Sequence, residues 1–322
     1  MKYDKVLVTG GAGFVGSHTA DELLKEGSKV WVLDDLSTGF LGNLRAWKGN
    51  PRFHFQRGTV TNYRKVLSLV GRVDAIVHLA AIVSPLVSIH RPEVTNEINV
   101  TGTLNVLRAT LKTGVRRVVY ASSSSVYGNQ THLPIAETNP LQPITPYGTT
   151  KLAGEKYCGA FYASYGLETI SLRYFNVYGT RQSANPYSGV IAIFASRLHN
   201  GLRPVIYGDG TQTRDFIHVS DVVRANLLAL GATRGLGEAF NIGTGIPTSV
   251  KQLHSVFARV LRKPGSTPVH RKPRPGVIRH SFSDTAKARH ILTFRPEVKL
   301  THGLEGFVLL AGDSLQYPHH DG

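Results

Sequence analysis

Through the first half of the chain, short apolar runs recur and each is cut off by glycine or a polar residue. Val6-Leu7-Val8 leads into Thr9-Gly10-Gly11, and Val30-Trp31-Val32-Leu33 into Asp34-Asp35. Ala75-Ile76-Val77-His78-Leu79, Arg117-Val118-Val119-Tyr120 and Thr169-Ile170-Ser171-Leu172 repeat the pattern. Runs this short and continuous predict strands buried on both faces. Between them the pattern predicts helices over Gly16 to Glu26, about Pro92 to Thr113, and about Pro146 to Tyr165. Strands alternating with helices imply an α/β fold, a Rossmann-type doubly wound parallel sheet. Right-handed crossovers then place a ligand at the carboxyl ends of the strands. Beyond Gly179 prolines and glycines become frequent and the elements short, which predicts a smaller C-terminal α/β substrate lobe. The expected division is residues 1–178 and 179–322, with a segment near 215–245 returning toward the first sheet through Asn241-Ile242-Gly243.

Composition narrows the function classes. Of 322 residues, 41% are hydrophobic and 18% charged, as in an ordinary globular protein. No apolar run approaches the roughly 20 residues that span a bilayer, so no membrane partner is expected. Met1-Lys2-Tyr3-Asp4-Lys5 passes straight into a strand without the shape of a signal peptide, and a cytoplasmic location is the default expectation. The single cysteine, Cys158, excludes an internal disulfide and a cysteine-based metal site. His218 and His280 have no paired ligand spacing, and no metal is expected.

The net charge is +16, and much of the excess lies late, at Arg259, Arg262, Lys263, Arg271, Lys272, Arg274 and Arg279. Such a surface suits a nucleic acid, an anionic small substrate such as a nucleotide diphosphate, or solvent alone. The charge is spread through a folded region and no nucleic-acid module is present, so no nucleic acid is expected.

Two motifs carry chemistry. Gly10, Gly13 and Gly16 follow the first strand and open a helix, a turn that lets a pyrophosphate approach backbone N–H groups. Asp34 ends the second strand, roughly 20 residues on, where a carboxylate accepts hydrogen bonds from ribose hydroxyls and repels a 2′-phosphate. That favours NAD over NADP. Farther on, Tyr147 and Lys151 share a helix face as an i,i+4 pair. An unperturbed phenol titrates near ~10, and a neighbouring cation helps it ionise. A hydroxyl from the serine run before Val126-Tyr127-Gly128 could fix the substrate oxygen. This is equipment for taking a proton from an alcohol while a hydride leaves its carbon.

These residues resemble the extended short-chain dehydrogenase/reductase family, and within it the branch of UDP-glucose and UDP-N-acetylglucosamine 4-epimerases. The resemblance rests on an ordered set: TGGAGFVGSH at Thr9–His18, DDLSTG at Asp34–Gly39, HLAA at His78–Ala81, NVTGT at Asn99–Thr103, SSSSVYG at Ser122–Gly128, PYGTTK at Pro146–Lys151, RYFNVYG at Arg173–Gly179, GDGTQTRDFIHVSD at Gly208–Asp221 and RPGVIRHSFSD at Arg274–Asp284. It implies Tyr147 as base, Lys151 as the residue that lowers its pKa and holds the nicotinamide ribose, and Ser123 as the group on the reacting hydroxyl. It implies a cofactor site of Gly10, Gly13, Phe14, Val15, Gly16, Asp34, Asp35, Ser37, Thr38, Gly39, Thr59, Val60, Leu79, Ala80, Ala81, Asn99 and Phe175, with Tyr147 and Lys151. Asn176, Val190, Tyr207, Arg214 and Arg274 match positions that contact UDP, and Ser281 one beside the sugar's 2-substituent. The helices near Pro92–Thr113 and Pro146–Tyr165 match those of a homodimer interface.

Four departures modify the expectation. Ser124-Ser125 stand where related 4,6-dehydratases carry Asp-Glu, so elimination of water lacks its extra acid and base. Thr59 replaces an aspartate that reads the adenine amino group, and Val277 an aspartate beside the phosphate-binding arginine. Val87 replaces an arginine frequent in members that handle N-acetylhexosamines. The resemblance thus implies NAD-dependent C4 epimerisation of a UDP-hexose, with UDP-glucuronate epimerisation or a silent dinucleotide sensor as alternatives.

Overall fold

The computed structural model describes residues 3–182, 189–263, 265–272 and 278–310. Its strands are β1 (Lys5–Thr9), β2 (Lys29–Asp34), β3 (Phe53–Arg57), β4 (Ala75–His78), β5 (Arg117–Ser123), β6 (Glu168–Tyr174), β7 (Asn176–Tyr178), β8 (Val205–Tyr207), β9 (Thr213–His218), β10 (Ala239–Ile242), β11 (Pro247–Ser249), β12 (Val269–Arg271) and β13 (His280–Ser281). The helices are α1 (Phe14–Lys25), α2 (Tyr63–Val70), α3 (Pro85–His90), α4 (Pro92–Asn96), α5 (Gly102–Thr113), α6 (Pro146–Tyr165), α7 (Val190–His199), α8 (Val219–Gly231), α9 (Val250–Val260), α10 (Ala286–Ile291) and α11 (Leu300–Leu310).

Seven strands form one parallel sheet in the order β10-β6-β5-β4-β1-β2-β3. The order reverses between β1 and β4, and the crevice at their carboxyl ends is the switch point where such sheets bind ligands. Apolar residues face both ways along each strand. Val6, Val8, Val30, Val32, Ala75 and Val77 join one core, and Leu7, Leu33 and Ile76 the other. That two-sided burial explains runs with no polar alternation.

Every strand expected from the pattern is present, and β10 does return to this sheet, parallel to β6. The edge strand β3 and helix α2 escaped the pattern. Phe53 and Phe55 alternate with the exposed His54, and β3 has a partner on one side only. The expected helix from Pro92 to Thr113 is α4 and α5 joined by a π-helical turn at Glu97–Thr101. Helix α6 spans the expected residues. Thr145 caps it by accepting the Gly148 N–H, Pro146 supplies a preset first turn, and Gly166 ends it at φ +67°.

Around β9 lies a smaller sheet in which β11, β13 and β7 pair with it, beside the β8–β12 pair. A separate apolar cluster of Tyr178, Ile191, Phe194, Phe257, Leu304 and their neighbours underlies it. Among the described residues, no helix is long and apolar enough to cross a membrane.

Candidate active site

Glycine builds the first wall of the crevice because side chains would not fit. A Cβ on Gly16 would stand 2.1 Å from the Gly10 carbonyl oxygen, and one on Gly10 would stand 2.8 Å from the Ala80 nitrogen. Gly10 also takes φ +69°. The turn therefore lies close against both α1 and the loop after β4. Gly13 precedes α1 without a side-chain cap, so the first-turn N–H groups of Phe14 and Val15 remain available to an anion.

Asp34 closes β2 beside this turn and is 7% exposed. Its Oδ2 accepts the Ala12 N–H at 2.9 Å and its Oδ1 the Leu36 N–H at 2.8 Å. Burial raises its pKa, against the pull of those backbone donors. A Cβ on Gly39 would stand 2.7 Å from Asp34 Oδ1, so the loop of Asp35, Ser37 and Thr38 folds close over the carboxylate. Thr59 lies one strand over, its hydroxyl 3.1 Å from that of Thr61. The backbone carbonyl of its neighbour Val60 accepts from Asn105 Nδ2 at 3.1 Å. A glycine turn at a bare helix end, flanked by a strand-end carboxylate, fits a dinucleotide.

The loop after β4 is held at both ends. Thr9 Oγ1 accepts the N–H groups of Leu79 and Ala80, each at 3.2 Å. Its own proton then points to His78 Nδ1, 2.6 Å away. This assigns the His78 proton to Nε2, which donates to Thr103 Oγ1 at 3.0 Å, and Thr103 donates to the Asn99 carbonyl at 2.6 Å. Burial first and the Lys151 charge second lower the His78 pKa to about 3, so the ring stays neutral. From the π-helical turn, Asn99 accepts the Ile82 N–H at 2.8 Å and donates to the Ile82 carbonyl at 3.0 Å and to Thr150 at 2.9 Å. Ala80 and Ala81 are fixed between these anchors.

Ser123 ends β5, and Tyr147 and Lys151 lie one turn apart on the buried face of α6. Ser123 stands close to the Tyr147 phenol and draws its pKa down, but burial raises it more. Lys151 donates from Nζ to the Ala121 carbonyl at 2.8 Å and lies 5.2 Å from the Tyr120 ring centroid. Burial lowers its pKa to about 7. The fold thus brings Ser123 and Tyr147 side by side. The expected lowering of the Tyr147 pKa by Lys151 does not appear, because the ammonium turns to a backbone carbonyl and desolvation dominates the phenol.

Across the crevice, Phe175 is buried, and Asn176 begins β7 in register with Phe216 of β9. Arg214 pairs with Ser281 across β9 and β13, and its Nη1 donates to the Thr213 carbonyl at 2.8 Å. Burial lowers the Arg214 pKa. Ser281 is 6% exposed and so is not a surface residue. Tyr207 ends β8 and Val190 opens α7. Arg274 and Val277 lie outside the described residues. No cluster of metal-ligating side chains occurs among the described residues.

Supporting residues carried a weaker signal. Ser88 accepts the Tyr147 N–H at 3.0 Å. Asp215, fully buried, accepts from Thr244 N and Oγ1 at 2.8 and 2.6 Å and from Gly245 N and Ser283 Oγ at 3.0 and 2.6 Å. It ties the strand that carries Arg214 to the loop after β10. A buried carboxylate beside an arginine, inside an otherwise apolar Phe216-Ile217 strand, was the sign available in the sequence.

Comparison with known proteins agrees with this geometry. Residues 6–243 match the NAD dependent epimerase/dehydratase family. UDP-glucose 4-epimerase of Mycolicibacterium smegmatis is 38% identical over 302 residues, covering 93% of this chain and 96% of that protein. The crystal structure of UDP-glucose 4-epimerase from Thermotoga maritima with UDP-glucose superposes with a TM-score of 0.90 at 38% identity, covering 97% of this chain and all of the other. UDP-N-acetylglucosamine 4-epimerase from Methanobrevibacter ruminantium, in complex with UDP-N-acetylmuramic acid, gives a TM-score of 0.92 at 34% identity, covering 96% and 98%. By the match over residues 6–243 and by these relatives, the chain belongs to the NAD-dependent epimerase/dehydratase family of enzymes.

Proposed function

We propose that the chain catalyses reversible inversion at C4 of a UDP-hexose, with UDP-glucose and UDP-galactose as one pair. The observation that carries this reading is the placement of Ser123 at the end of β5 next to Tyr147 and Lys151 on the buried face of α6, beside the switch point. The relatives' names support a UDP-sugar and leave the sugar itself open.

In this reading Tyr147 takes the proton of the C4 hydroxyl, and Ser123 holds the same oxygen by a hydrogen bond. Bound NAD supplies the hydride acceptor and, later, the hydride donor at C4. Gly10, Phe14, Val15 and Asp34 would hold it, and Lys151, which donates to the Ala121 carbonyl, would hold its ribose and stabilise the phenolate. The 4-keto sugar turns over in the crevice, and Tyr147 returns its proton once the opposite face is presented. Arg214 and Arg274 hold the diphosphate, where a guanidinium gives forked hydrogen bonds. Ser124 and Ser125 offer no carboxyl acid or base for eliminating water.

Ser281 sets the room beside the 2-substituent. Its hydroxymethyl group is buried and is the smallest that carries a hydroxyl, so in this reading an acetamido group is not excluded by a large side chain at this position. Wild type is expected to convert UDP-N-acetylglucosamine and UDP-N-acetylgalactosamine as well as the plain hexoses. Ser281→Tyr should depress turnover of the acetamido sugars at least ~10-fold more than that of UDP-galactose, the scale of a filled pocket. Equal losses on both substrate types would remove Ser281 from this role.

A homodimer through α5 and α6 is part of the same proposal. Leu111, Tyr157, Tyr162 and Tyr165 are exposed large side chains on these helices. Light scattering at micromolar concentration should give twice the 35.1 kDa chain mass. A monomer at that concentration would contradict it.

A further inference from the structure

Helix α6 carries the tyrosine, and its apolar anchors are Cys158 with the partly buried Leu152 and Phe161. Its buried residues are Tyr147, Gly148, Thr150, Lys151, Gly154, Glu155 and Cys158. Glycine lets it lie close to β5: a Cβ on Gly148 would stand 2.6 Å from the Ser125 carbonyl oxygen, and one on Gly154 2.3 Å from the Tyr120 hydroxyl. Smooth contact of this kind gives proximity without interlocking side chains.

Polar ties take over that task. Tyr147, Lys151 and Glu155 stand at i, i+4 and i+8 on one face, and each meets the end of β5. Tyr147 meets Ser123, Lys151 the Ala121 carbonyl at 2.8 Å, and Glu155 Oε2 accepts from Ser122 Oγ at 2.8 Å. Arg173 on β6 completes the set by donating from Nε to Glu155 Oε2 at 3.0 Å and from Nη2 to Oε1 at 2.5 Å. Arg173 is itself fixed through Nη1 to the Tyr127 hydroxyl at 2.7 Å, which donates to Asn241 Oδ1 at 2.6 Å. Glu155 is 7% and Arg173 4% exposed.

A buried ion pair contributes little stability relative to apolar residues of the same size, and its best attested use is to set register. We propose that Glu155, held by Arg173, is a positioning residue that fixes the height and rotation of α6 so that Tyr147 meets Ser123. The proposal rests on the catalytic role given to Tyr147 above. A misplacement of about 1 Å can cost ~10²-fold in rate, and one helical turn is only about 5.4 Å.

The test replaces both charges by apolar side chains of similar volume, Glu155→Leu with Arg173→Met, in the NAD-loaded chain. The expected result is a melting temperature and NAD content close to wild type, KM within about 3-fold, and kcat lower by ~10–100-fold. The Tyr147 phenol, followed by NMR of ring-13C tyrosine and assigned with Tyr147→Phe, should titrate higher because it moves away from the Ser123 hydroxyl that draws its pKa down. Ser122→Ala removes one tie only and should move kcat and titration in the same direction by less; it decides the matter if the double variant fails to fold. Wild-type kcat and an unmoved titration would overturn the proposal. A kcat loss that merely parallels lost folding and NAD content would overturn it too. The titration needs no turnover, so a wild type inactive on every UDP-sugar would defeat the functional reading while the NMR comparison still judges Glu155.

Discussion

Tyr147→Phe is expected to leave the fold and NAD binding intact and to lower epimerisation by about 10²–10⁴-fold, the usual worth of a general acid–base group. The ring stays, so the packing of α6 against β5 is kept, and the backbone N–H of residue 147 still donates to Ser88 Oγ. What goes is the hydroxyl that, in the proposed mechanism, carries the C4 proton. The phenol starts from an unfavourable position, since burial holds its pKa above the ordinary value. In the proposed mechanism, ionisation would draw on positive charge brought near the phenol by Lys151 and bound NAD. The loss should fall on kcat with KM little changed, because the proton transfer belongs to the transition state. Turnover within a few-fold of wild type would assign the base elsewhere.

Asp34→Ala should weaken NAD binding by roughly 10–100-fold, the scale of lost hydrogen bonds to a charged group. Discrimination against NADP should shrink, because the repulsion of a 2′-phosphate disappears. Stability should fall as well, by roughly 1–3 kcal/mol, since the Ala12 and Leu36 N–H groups lose their acceptor. Isothermal titration with both dinucleotides reads affinity, and thermal unfolding reads stability. Unchanged affinity for both cofactors would show that Asp34 is not the ribose ligand.

Much of the sheet was legible because its central strands are buried on both faces and read as unbroken apolar runs. Strand β3 was not, since an edge strand half open to solvent carries a diluted pattern. Helix α6 was expected at about its observed residues, and Thr145, Pro146 and Gly166 mark its ends chemically. The π-helical turn at Glu97–Thr101 left no mark of its own, as a change of one residue in hydrogen-bond spacing does not alter composition. The glycine turn, Asp34, Ser123 and Tyr147 stood out as candidates because the proposed chemistry needs those residue types. The state of Tyr147 and Lys151 was not, because an i,i+4 spacing says nothing about desolvation or about a carbonyl waiting at Ala121. Nor were Glu155 and Arg173 legible as partners, since only the pairing of α6 with β6 brings them together.

The central claim is a self-contained inversion at C4. Its most direct test is NMR of the NAD-loaded chain incubated with UDP-galactose, with no other reactant added. The account predicts steady appearance of UDP-glucose to equilibrium, the same end mixture from either side, and no net gain in absorbance at 340 nm. It is contradicted if neither hexose interconverts, if reduced cofactor accumulates in step with an oxidised sugar, or if the product is a sugar that has lost water.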